Sequence, residues 1–328
     1  MKFLIVQTAS IGDVILATPI VEKLHYCYPD SQIDFLVKKG CDGVLTGHPY
    51  IRNLFIWNKQ KRKYRDLLRI LKIVRAEKYD HIINLQRFAT TGLFSILSKA
   101  HIKTGFSKNP FSIFFDSRIK HQLKNGKHET ERNLELIKEI TDNSKSSVKL
   151  YPSEDDFASV NEYKCKKYIC IAPASLWYTK KYPEGKWIEF INNIDKDILI
   201  YLLGGKSDAE VCDQIISSCP RKIVINLSGK LSLLETAALM KDSLMNFVND
   251  SAPLHISSAM NAPTTAVFCS TIPEFGFGPL SDDSKVIQTH LNLKCRPCGI
   301  HGFKNCPEKN FDCAYSVNND ELLKRIIS

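Results

Sequence analysis

The sequence has no apolar run approaching the roughly 18 residues a membrane-crossing helix needs, so no spanning segment is expected. Its N-terminus, Met1-Lys2-Phe3-Leu4-Ile5-Val6, breaks at once into Gln7-Thr8-Ala9-Ser10 and then Asp13. That pattern does not fit a secretory leader and reads as the buried first strand of a cytoplasmic protein. There is no G-x-G-x-x-G, so the glycine fingerprint of nicotinamide-type enzymes is missing. No H-E-x-x-H is present either. Gly205-Lys206-Ser207 ends like a phosphate-binding P-loop, but the first glycine of that motif would fall at Ile200. Short internal repeats and low-complexity tracts are absent, and the composition excludes disorder, collagen and coiled coil.

What remains is a chain of 328 residues with 44% hydrophobic and 24% charged side chains, enough for about two globular domains. Its net charge of +10 is unevenly spread. Through Lys164 there are 27 basic and 18 acidic residues; after it there are 18 and 17. One half is therefore expected to meet something anionic, whether nucleic acid, a membrane surface or an acidic substrate.

Short apolar runs alternate with stretches of helical period, the pattern of a parallel α/β sheet. In the first half, strands are expected at 2–7, 32–37, 54–57, 81–85 and 103–106. Helices are expected at 13–28, 63–77, 90–98 and 129–141. The pattern restarts with strands at 168–172, 198–203, 222–226, 244–248 and 264–269. Helices there fit 183–194, 207–217, 232–241 and 252–260. Between the halves, Tyr151-Pro152-Ser153-Glu154-Asp155-Asp156 is polar and aperiodic, a linker. The expected architecture is two doubly wound domains, 1–155 and 156–328, facing a cleft. Ligands would bind at the carboxyl ends of the strands.

Three segments carry chemistry. In Thr8-Ala9-Ser10-Ile11-Gly12-Asp13, Gly12 allows a tight turn or a close backbone approach, and Asp13 falls at a helix N-terminus, where it could also serve as a plain cap. In Asn249-Asp250-Ser251-Ala252-Pro253-Leu254-His255, Asp250 or Ser251 could cap a helix whose first turn takes Pro253. Free N–H groups and the helix dipole there suit an anion such as a diphosphate. In Ala172-Pro173-Ala174-Ser175, followed by Lys180-Lys181-Tyr182-Pro183, a lysine could reach a phosphate as a flexible point charge or simply be solvated. Asp195-Lys196-Asp197 resembles the acid pair of some metal-dependent transferases, but it precedes a strand and reads as a polar turn.

With Leu203-Gly204-Gly205 and Leu227-Ser228-Gly229-Lys230-Leu231-Ser232-Leu233, these segments follow one order along nearly the whole chain. In that order the chain resembles glycosyltransferase family 9, which includes the bacterial lipopolysaccharide heptosyltransferases. The resemblance implies a GT-B fold of two Rossmann-like domains, an ADP-heptose donor and an inverting transfer that requires no cofactor. It implies an acceptor held mainly by the N-terminal domain and a nucleotide held by the C-terminal one. Asp13 matches the family's proposed general base. Lys180, with Lys181 beside it, matches the phosphate-contacting lysine. Ser175, Ser251, Ala252, Leu254 and His255 fall around the diphosphate, Asp250 by the sugar hydroxyls and Leu231 along the adenine. Asp208 or Glu210 would reach the ribose.

Residues 59–78 contain nine basic and two acidic side chains interleaved with Leu67, Leu68, Ile70, Leu71 and Val74. This is a basic helix with one buried face. It is either solvated or turned to an anionic glycolipid acceptor at the inner face of the cytoplasmic membrane, as a peripheral contact. Lys59, Lys61, Arg62, Lys63 and Arg87, with Ser10 and Gly12, are the acceptor-side candidates. Lys103, Lys120, Lys124, Lys127, His128 and Arg132 extend the positive potential over the same half. Nucleic acid is not an expected partner, because the aromatic-basic RNA motifs are missing and the second half is not basic.

Of eleven cysteines, Cys295, Cys298, Cys306 and Cys313 cluster late, with His301 among them. The first pair has metal-ligand spacing; the second is too widely spaced for a standard zinc motif. Some relatives that heptosylate proteins carry a cysteine-ligated iron. The cluster is therefore a candidate structural Zn or Fe site, against reduced thiols or a disulfide.

Overall fold

The computed structural model describes residues 1–220 and 222–327, and the chain divides into two compact units, Met1–Tyr151 and Pro152–Ser328. The division falls four residues before the expected one. Ser153 accepts from the Asp156 N–H, and Asp156 Oδ2 accepts from the Ser153 N–H at 2.8 Å. This capping box turns the supposed linker into a helix, Glu154–Ser159, of the second unit.

The first unit is built on six parallel strands: β1 (Lys2–Gln7), β2 (Gln32–Lys38), β3 (Asn53–Trp57), β4 (His81–Asn84), β5 (Ile102–Phe106) and β6 (Ser117–Ile119). Their spatial order is β3-β2-β1-β4-β5-β6, so the direction of winding reverses between β1 and β4. Phe3, Leu4, Ile5 and Val6 are fully buried, as expected for a strand covered on both faces. On the helix Lys63–Glu77, Leu67, Ile70, Leu71 and Val74 repeat at helical spacing and pack into the core with Trp57 and Phe94. Leu68, read from sequence as part of that buried face, is 62% exposed.

The expected helix 13–28 is two helices, Ile11–Ile15 and Thr18–Cys27. Pro19 has no N–H to give the Ile15 carbonyl, and the Thr18 hydroxyl takes that acceptor instead at 2.8 Å. The helix expected over 129–141 is shorter, Glu129–Leu134 followed by a 3-10 turn, Glu135–Ile137.

The second unit repeats the design with β7 (Tyr168–Ala172), β8 (Leu199–Leu202), β9 (Val224–Asn226), β10 (Asn246–Asn249), β11 (Thr264–Phe268) and β12 (Ser284–Gln288). All pair in parallel in the order β12-β11-β10-β7-β8-β9, which is the first sheet's order with the reversal between β7 and β10. Ile169, Ile171, Trp187, Phe190 and Phe247 lie at the centre of its core. Asp195-Lys196-Asp197 forms a polar turn before β8, where the Asp195 side chain accepts from the Asp197 N–H. The edge strands β6 and β12 and the C-terminal helix Asn319–Ile327 fall outside the expected set. Among the described residues, no helix is long and apolar enough to cross a membrane.

Candidate active site

In each unit the chemistry-bearing segments leave the carboxyl ends of the two strands that flank the reversal. In the first unit, Ser10 opens the helix Ile11–Ile15 as its N-cap. Asp13 Oδ2 accepts from the Ser10 N–H at 3.0 Å and from the Ser10 hydroxyl at 2.6 Å, so the carboxylate is oriented by a capping box. Gly12, expected in a tight turn or at a close backbone approach, is a buried helical residue and lies in no tight turn.

The turn before this helix is clamped from the side. The Lys59 ammonium donates to the Thr8 carbonyl at 2.7 Å and approaches the Thr8 hydroxyl at 3.0 Å. It also lies 4.7 Å from the Trp57 ring centroid. Burial, with repulsion from Lys38 and Lys63, lowers the Lys59 pKa to about 8. Lys59, read from sequence as an acceptor-side cation, is thus turned inward onto the loop that carries Asp13. Lys61 and Arg62 are exposed and Lys63 half-buried where the chain leaves β3; Arg87 is exposed just past β4.

In the second unit, Asn249 at the end of β10 ties the neighbouring strand exit to its own. Its side-chain amide donates to the Pro173 carbonyl at 2.8 Å, and its Oδ1 accepts from the Tyr182 N–H at 3.0 Å. The segment between, which contains Ser175, Lys180 and Lys181, is thereby held at both ends against the end of β10. Lys180 Nζ lies 2.7 Å from Asp250 Oδ2, with both side chains largely buried. The Thr271 hydroxyl donates to the same carboxylate oxygen at 2.6 Å.

Neither expected cap of that helix forms. Ser251 occupies the N-cap position without a side-chain capping bond, and Asp250 turns its Oδ2 to Lys180 and Thr271 instead. The Leu254 N–H, read as a free donor, is committed to the Ser251 carbonyl at 3.1 Å. Ser251 and Ala252 carry the remaining N–H groups of this end, since Pro253 has none. His255 is buried in the same helix.

The exits of β8 and β9 pack together beside β7. Gly229, in the left-handed region at φ +71°, brings its N–H to the Gly204 carbonyl at 2.9 Å, and a side chain there would collide with Lys206. Leu231 follows, half-exposed. Asp208 folds back to accept from the Gly205 N–H at 2.8 Å, whereas Glu210 is exposed on the first turn of the next helix.

All eleven cysteines carry free thiols. Cys295, Cys298, Cys306 and Cys313 line one small cavity with Thr179 and Arg296. Burial, with the neighbouring sulfurs, pushes the Cys298 thiol up and the Cys313 thiol up to about 12. Among the described residues, no group of three or more His, Cys, Asp or Glu side chains is arranged to hold a metal ion.

Sequence reasoning missed Thr271, Thr179, Ser270 and Arg296, which lie in no recognisable motif. Asn249 stood inside a quoted motif, but nothing in its spacing showed that it joins two strand exits.

Two parallel sheets of one strand order, each carrying polar segments where the winding reverses, are the paired Rossmann-like domains of the GT-B fold. The structure of E. coli ADP-heptose LPS heptosyltransferase II superposes with a TM-score of 0.83 at 18% identity, covering 100% of this chain and 98% of that one. The model of glycosyltransferase family 9 (heptosyltransferase) matches residues 67–304, and the chain belongs to that family. Lipopolysaccharide heptosyltransferase 3 of Escherichia coli is 28% identical over 79% of this chain and 81% of its own length. Lipopolysaccharide heptosyltransferase 1 of Campylobacter coli is 26% identical over 99% and 98%.

Proposed function

We propose that the protein is an inverting heptosyltransferase that moves heptose from ADP-heptose to the inner core of lipopolysaccharide, without a cofactor in the transfer step. The observation that carries this reading is the Lys180–Asp250 pair set against the start of the helix Ala252–Ala259, at the reversal of the second sheet. An ammonium has three donors. One meets Asp250, and the others are available to a diphosphate. The N–H groups of Ser251 and Ala252 and the hydroxyl of Ser175 add neutral donors from the facing side. These groups stabilise the charge that builds on departing ADP, which is where preorganised donors act most strongly. Asp250 then serves the heptose hydroxyls, Leu231 the adenine, and Asp208 or Glu210 the ribose. Lys181 and His255 take supporting places around the phosphates.

Inversion requires the acceptor oxygen to attack the anomeric carbon opposite the leaving ADP. As that bond forms and the bond to ADP breaks, the hydroxyl proton passes to Asp13. Oδ2 is held by Ser10, which orients Oδ1 to take the proton. Lys61, Arg62, Lys63 and Arg87 draw the anionic glycolipid to the basic unit, and the Lys63–Glu77 helix approaches the anionic inner leaflet as a peripheral contact. On this reading the enzyme works at the cytoplasmic side of the membrane, with a glycolipid and not a nucleic acid as its anionic partner.

Calorimetry and thermal shift with nucleotides test the reading. ADP should raise the melting temperature selectively through linkage to the folded state, and Lys180→Ala should weaken ADP about 10- to 100-fold, as for loss of a charge-assisted contact. Preference for UDP or NAD would overturn the donor. Mass spectrometry of products formed with ADP-heptose and either a lipopolysaccharide core or a protein acceptor decides the other substrate.

A further inference from the structure

The stem of Lys180 is held from behind by the cysteine-rich loop. Thr179, 1% exposed, has a fully engaged hydroxyl. It accepts from the Phe303 N–H at 2.8 Å and from the Ser270 hydroxyl at 3.0 Å, and its own proton faces the Phe303 carbonyl at 3.3 Å. The Thr179 N–H donates to that same carbonyl at 3.1 Å. Next to it, Gly302 at φ +76° lies flat against the neighbouring lysine. A Cβ added there would stand 2.9 Å from Thr179 Oγ1 and 3.0 Å from Lys180 Cγ.

The loop is anchored in turn at the exit of β11. Arg296 donates to the carbonyls of Cys269 at 2.7 Å and Thr271 at 2.8 Å, and to Gln288 Oε1 at 2.7 Å. The Cys298 N–H donates to the Ser270 carbonyl at 2.9 Å. Thr271 is the residue whose hydroxyl holds Asp250. One loop therefore braces both members of the Lys180–Asp250 pair.

We propose that Thr179 is a positioning residue for Lys180, acting through the Gly302-Phe303 backbone, and that the cysteine-rich loop is the brace of the donor pocket. The assignment rests on the reading that Lys180 binds the donor diphosphate. A lysine side chain loses considerable rotamer entropy when it is fixed. Pinning its stem beforehand removes part of that cost from the binding step. Thr179 itself, buried and fully bonded, meets no ligand.

Thr179→Val is nearly isosteric and strips the hydroxyl from both partners. It should weaken ADP binding and lower kcat/KM for the donor about five- to tenfold while leaving KM for the acceptor unchanged. Thr179→Ser, which keeps the hydroxyl, should recover the wild-type values to within about twofold. In a Lys180→Ala background, Thr179→Val should have no further effect on ADP affinity, because the two act as one unit. Should Thr179→Val fail to fold, Gly302→Ala presses on the lysine stem from the loop side and should give the same donor-selective loss. A folded Thr179→Val protein with wild-type ADP affinity, or an equal loss with and without Lys180, overturns the assignment. If Lys180→Ala itself leaves ADP affinity untouched, the donor-site reading falls and takes this assignment with it.

Discussion

The two units share one strand order and differ in what they place where that order reverses. Met1–Tyr151 holds 26 basic and 14 acidic residues, net +12, whereas Pro152–Ser328 holds 19 and 21, net −2. At the reversal of the basic unit stands a carboxylate, Asp13, tied to its own helix N-cap. At the reversal of the near-neutral unit stands a lysine, Lys180, neutralised by Asp250. Each pocket thus carries the sign opposite to its surroundings, or none at all. The broad field of the first unit suits long-range attraction of an anionic acceptor, and the local geometry of the second suits short-range capture of a diphosphate. A protein can separate steering from binding in this way because an excess of exposed charge acts out to about a Debye length, while a cation already paired with a carboxylate, as Lys180 is with Asp250, projects little net field beyond its pocket.

The sharpest way to break this comparison is Asp13→Ala. If proton removal belongs to the first unit alone, kcat should fall about 10²- to 10⁴-fold while ADP affinity stays at the wild-type value. Isothermal calorimetry beside an initial-rate assay measures both, and full activity in this variant would remove Asp13 as the base.

A middle-sized effect concerns Lys59. With its pKa lowered to about 8, this ammonium is charged below that pH and neutral above it. The groups around it are Lys38 and Lys63, which repel it, and Cys41, whose own thiol is pushed up by burial. Activity should therefore decline as pH rises through about 8, as the charged clamp on Thr8 is lost. Lys59→Met should be slower by about tenfold at neutral pH, as for loss of a charged hydrogen bond, and show no such limb. Lys59→Arg should keep the activity and move the limb to higher pH. A rate profile from pH 6 to about 10 would decide; an unchanged limb in Lys59→Met would assign it to another group.

The smallest effect belongs to the exposed cations. Lys61→Ala combined with Arg62→Ala should raise KM for the acceptor about two- to fivefold at low salt and leave ADP affinity alone. The difference should shrink as salt is added, because both side chains are solvated. An effect that is independent of salt would point to a built contact instead of a steering field.

The legibility of the two sites in the sequence follows from how local their signals are. β1 and β7 were readable because strands buried on both faces are runs such as Phe3-Leu4-Ile5-Val6 and Tyr168-Ile169-Cys170-Ile171. The helix Lys63–Glu77 was readable because its apolar residues repeat at helical spacing. The break after Ile15 was foreseeable only in hindsight: Pro19 is tolerated early in a helix, and nothing local says that a new helix starts at Thr18. β12 was missed because an edge strand covered on one side need not be continuously apolar.

For the candidate site, order along the chain was enough to nominate Asp13, Lys180 and Asp250. It could not pair Lys180 with Asp250, which lie 70 positions apart, nor bring Thr271 to their shared oxygen. Nor could it show that Lys59 reaches the Thr8 carbonyl, because that depends on where its long stem is led by the fold.

By itself, then, the sequence determined the α/β class, the doubled unit, the family and the segments that make up the candidate site. These are properties of periodicity and of short motifs, which need only neighbouring residues. The tertiary structure alone decided where the linker ends, that one Asp208 oxygen and the Leu254 N–H are already engaged by the backbone, and that four cysteines share a cavity. Hydrogen-bond partners and ligand geometry depend on distances between residues far apart in the chain, and spacing along a sequence carries no such distances.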